Sequence, residues 1–62
     1  MILQDNLGAE GDTVYAALMA AHEGLSEAES HALNARLVLM LANELGDPAR
    51  LDALFKAARD LA

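Results

Sequence analysis

The stretch "LNARLVLMLANELGDP", Leu33 to Pro48, decides how this chain folds. Six apolar residues stand in a row from Leu37 to Ala42. A surface helix of a small domain is apolar along one stripe, so an unbroken run raises the question of what covers its other sides. At 100° per residue, Leu33, Leu37, Met40, Leu41, Val38 and Leu45 share one wide sector. Glu29, Arg36 and Asn43 form a narrow polar strip. Beyond that strip lie Ala28, Ala32, Ala35 and Ala42, with Leu39 among them. The run therefore joins two surfaces: a sector of large residues that suits a core, and a strip of alanines carrying one leucine. Small side chains let another helix approach closely. The expectation is that Ala28, Ala32, Ala35, Leu39 and Ala42 form an interface with a second copy.

Working outward, the punctuation is clear. "SEAE", Ser26 to Glu29, has the spacing of a capping box, in which serine and glutamate each serve the other's backbone amide. Gly46 supplies a left-handed stop, and "DP" restarts the chain with Asp47 as cap and Pro48 at the first helical position. Upstream, Asp12 offers an N-cap, Val14, Leu18, Ala21 and Leu25 follow at helical spacing, and Gly24 stops that helix. Downstream, Leu51, Leu54, Phe55, Ala58 and Leu61 form a stripe, with Asp52, Lys56 and Asp60 opposite. The expected helices are about 13–23, 27–45 and 48–61, after an arm over residues 1–11 pinned by Ile2, Leu3 and Leu7. Short links favour antiparallel neighbours. The predicted fold is all-α: one domain over 12–62, a three-helix up-down-up bundle that dimerises through its second helix.

Composition narrows the function. A chain of 62 residues is near the lower size for a stable core and gains much from association. It has no cysteine, which removes disulfides, thiolate nucleophiles and Cys-type zinc sites. The formal net charge is −6, with ten acidic and four basic residues, so a phosphate backbone or an anionic membrane is a poor partner. No signal-like start and no membrane-length apolar run is visible, and the cytoplasm is the expected compartment.

The polar residues offer little chemistry. His22 and His31 are the two imidazoles, and their spacing fits no metal motif. His22 reads as a half-buried residue near a helix C-terminus, where the dipole favours it. His31 falls beside the alanine strip. Asn34 sits within the sector of large residues, where a buried amide needs partners and suits a register-fixing role. Glu44 reads as a solvated rim residue. Arg36 is left to pair with Glu29 or with an acid on a partner chain. Ser26 is accounted for as a cap, and no glycine loop cradles a phosphate.

From Tyr15 to Asp47, and most closely in "AHEGLS" and "LNARLVLMLAN", the chain resembles a family of very short bacterial proteins known only as a domain of unknown function. The resemblance implies a bacterial, stand-alone small protein, encoded near flavin-dependent oxidoreductases of aromatic breakdown. No chemistry comes with it. The expected function is a non-enzymatic interaction or accessory subunit, working as a homodimer and with room for another protein partner, with no cofactor, no metal and no nucleic acid. The alternative is a small-molecule or metal binder, accessory to a flavin-dependent oxidoreductase, with His22, His31 and Asn34 facing one cavity at the dimer seam.

Overall fold

In a computed structural model, residues 5–61 are described. They form a 3-10 turn, Gly8–Glu10, and three α-helices: α1, Gly11–His22; α2, Glu27–Leu45; and α3, Pro48–Leu61. No strand occurs among the described residues.

The capping chemistry sets the bounds of α2 and α3. At Ser26 the Oγ accepts from the amide of Glu29 at 3.2 Å, and Glu29 Oε1 accepts from the amide of Ser26 at 2.9 Å. Both halves of the box are present. α2 ends at Gly46, which takes φ +65° and returns its N–H to the carbonyl of Ala42 at 2.9 Å. A residue with a Cβ disfavours that conformation, so glycine sets the end point. Asp47 then caps α3, its Oδ1 accepting from the amide of Arg50 at 3.1 Å, with Pro48 behind it. Gly24, at φ +77°, turns the chain after α1.

The start of α1 differs from expectation. Asp12 is not the cap but lies inside the first turn, where its charge faces the positive end of the helix. The 3-10 turn runs directly into the helix, and its entry is held by Asp5, whose Oδ1 accepts from the amides of Leu7 at 3.2 Å and Gly8 at 3.0 Å. The acid that organises this end therefore sits well upstream of the one the periodicity favoured. Of the residues expected to pin the arm, Ile2 and Leu3 lie outside the described residues, and Leu7 is exposed.

Packing departs furthest from expectation. No described residue is buried. Of the large-residue sector of α2, Leu33 and Leu37 are half-buried, while Val38, Met40, Leu41 and Leu45 are exposed. On α3 Leu51 and Leu54 are half-buried, but Phe55 and Leu61 are exposed. The radius of gyration is 13.1 Å, against about 11 Å for a compact domain of this length. The accessible surface is 5338 Å², against about 3,800 Å² for a compact monomer of this size. The three helices are formed, and the described residues do not close a core around them.

Candidate interaction surface

Two open grooves flank α2. The first lies between α1 and α2, has a volume of about 560 Å³, and is lined by Val14, Leu18, Leu33, Arg36, Leu37 and Met40 among others. The second lies between α2 and α3, has a volume of about 400 Å³, and includes Val38, Ala42, Leu45, Leu51, Leu54 and Phe55. Leu41 belongs to both. The apolar run of α2 is thus shared between two clefts. Among the described residues, Arg36 is the one charged side chain lining either cleft.

The residues of the expected interface separate. Ala28, Ala32, Ala35 and Leu39 are exposed and line neither groove, and Leu39 is 71% exposed. Ala42 is half-buried and lines the second groove. The strip without Ala42 is therefore the outer face of α2, a ridge with no second wall.

The candidate polar cluster is not brought together. His22, His31 and Asn34 line neither groove. His22 is half-buried, with Nδ1 3.0 Å from Ser30 Oγ. His31 Nε2 lies 3.6 Å from Glu27 Oε1, one turn back on the same helix, and both side chains are largely in solvent. Asn34 is exposed rather than buried. Its amide can bond water, so within one chain it is not a buried, register-fixing group. Among the described residues no three His, Asp or Glu side chains are placed to hold a metal ion.

The His22–Ser30 pair was not read from the sequence. It ties the end of α1 to the first turns of α2 across the short link. A nucleophilic serine would need its histidine oriented from the other ring nitrogen and a pair of donors for an oxyanion. Among the described residues no side chain bonds to His22 Nε2. In the fold the pair is a clasp between the end of α1 and the first turns of α2. Glu29 is held below its ordinary 4.5 by the hydrogen bonds from the Ser26 backbone and side chain, which outweigh an opposing desolvation. That group also belongs to helix capping. Among the described residues no helix is long and apolar enough to cross a membrane.

Residues 1–60 match the family described as "Protein of unknown function (DUF2783)", and the chain belongs to it. No curated protein and no solved structure is found to match.

Proposed function

We propose that this protein is a non-enzymatic interaction module, an accessory-type subunit that works as a homodimer and obtains its core by pairing through α2. The observation that carries the proposal is the absence of any buried residue among those described, beside two apolar grooves. The surface in excess of a compact monomer is roughly 1,500 Å². Obligate homodimers bury about 2,000–5,000 Å² over both partners, so two such chains expose the amount that a permanent interface removes. Within the dimer the helices take the up-down-up course that the short links favour. The sequence pattern favours the alanine strip of α2 as the seam. The grooves favour the adjoining face, because a cleft with two apolar walls surrounds an incoming helix where a ridge only touches it. Of the two, the groove is the reading we adopt. The alternative of a metal or small-molecule binder draws no support from His22, His31 and Asn34, which share no cleft.

The test is light scattering and circular dichroism on one sample across concentration. A dimer whose helical signal and melting temperature fall together on dilution is the expected result. A helical monomer at high micromolar concentration overturns the proposal.

A further inference from the structure

The first 49 residues contain a single lysine or arginine, Arg36, and it lines the apolar groove between α1 and α2. Among the described residues it makes no ion pair. Glu29, the acid proposed from the sequence as its partner, is engaged in the capping box instead. Four residues along α2 comes Met40, on the same groove and 65% exposed. Four further comes Glu44, exposed and likewise without an ion pair among the described residues. Positions i, i+4 and i+8 form one ridge of a helix. The ridge therefore reads plus, apolar, minus, with the apolar residue at its midpoint.

From this ridge we infer that the second copy seats antiparallel in the α1–α2 groove, with the two-fold axis at Met40. The inference rests on the homodimer proposed above and specifies its face and direction. A two-fold axis at Met40 sets Met40 against the partner's Met40, and Arg36 against the partner's Glu44, twice. A parallel pairing in register sets arginine against arginine and glutamate against glutamate. The antiparallel arrangement is self-complementary, as a two-fold interface must be. The opposite wall of the groove includes Ala17 and Ala21, whose small side chains admit a second helix. It also places the lone cation of this region where two chains of charge −6 would otherwise repel.

Charge exchange tests the arrangement. Arg36→Glu and Glu44→Arg are each expected to weaken dimerisation about tenfold, since two attractive pairs become two repulsive ones. The double variant Arg36→Glu/Glu44→Arg restores complementarity and is expected to recover most of the affinity. Glu44→Arg is the informative single change. It replaces a negative charge with a positive one, so general repulsion falls, yet the proposed seam predicts weaker association. In about 1 M salt the gap between single and double variants should shrink. A cysteine at the axis gives the direction. Met40→Cys is expected to form an interchain disulfide. Arg36→Cys is not, because its two copies lie about 12 Å apart along the antiparallel pair. A dimeric wild type whose single variants associate as well as it does, or whose double variant is not rescued, overturns this seam while leaving the homodimer standing. A disulfide at both cysteine positions replaces the antiparallel pairing with a parallel one. A monomeric wild type removes the homodimer and the seam together.

Discussion

At the scale of single residues, hydrogen-bonding chemistry explains most of what the structure fixes. Ser26 and Glu29 satisfy two amides that would otherwise be open at the start of α2. Ser26→Ala is expected to destabilise the protein by about 0.5–2 kcal/mol, read as a lower melting temperature with the association state unchanged at high concentration. An unaltered melting temperature would mean that α2 does not depend on this cap. The lowered pKa of Glu29 makes the same box sensitive to acid. A carboxylate whose folded pKa is depressed contributes stability that is present above its unfolded pKa and is lost as pH falls through the folded value. The window therefore lies below 4.5, the ordinary value. Protonation of the other carboxylates relieves the net negative charge over the same range, so the comparison must be between variants. Glu29→Gln keeps an acceptor for the Ser26 amide but cannot ionise. Its melting temperature is expected to fall less steeply between about pH 5 and pH 3 than that of the wild type. Equal slopes would sink the assignment.

At the scale of elements, the sequence was legible wherever a local rule operates. Gly46, Asp47 and Pro48 mark a stop, a cap and a start by backbone geometry alone, and α2 and α3 begin and end where those residues place them. α1 was less legible because Asp12 satisfies the same rule as a true cap. What decides against it is the preceding 3-10 turn, held by Asp5, which carries the chain into the helix early. The His22–Ser30 clasp was illegible for a different reason, since it depends on how two helices meet rather than on either helix alone. Gly46 provides the test at this scale. Its φ of +65° disfavours any side chain. A methyl group added at this position would meet only the Asn43 carbonyl oxygen, at 3.8 Å, so backbone conformation rather than crowding decides the outcome. Gly46→Ala is expected to lower stability by about 1 kcal/mol, measured by urea unfolding, whereas Gly11→Ala, within α1 and with open space around it, should be neutral or stabilising. A loss at Gly11 as large as that at Gly46 would contradict this explanation.

At the scale of the whole molecule, the apolar run from Leu37 to Ala42 is divided between two clefts and an outer ridge. Periodicity told which residues share a side of α2, but not which side has a neighbour. Wheel position alone makes Met40 and Leu41 core residues, yet they are 65% and 58% exposed in the single chain, while Leu39, expected at an interface, is 71% exposed, as such a residue is before a partner covers it. The groove and the ridge make opposite predictions for two adjacent residues. In the groove, Met40 lies at the seam, and its burial by a second copy is worth about 1.5–3 kcal/mol for each chain. Met40→Glu would place a carboxylate at the axis opposite its own copy, with Arg36 one turn to one side and Glu44 one turn to the other, so the cost comes from desolvation and from the like charge of the two introduced carboxylates. Dimerisation is expected to fail, and the melting temperature to fall with it, because folding and association are linked. Leu39 stands on the ridge, about 100° round the helix in the direction of the alanines. Leu39→Glu is expected to leave the dimer intact and to change stability by no more than about 0.5 kcal/mol, as for an ordinary surface substitution. Sedimentation equilibrium of both variants beside the wild type decides between the faces. If Leu39→Glu dissociates the protein and Met40→Glu does not, the seam is the strip of Ala28, Ala32, Ala35 and Leu39, and the groove belongs to some other contact.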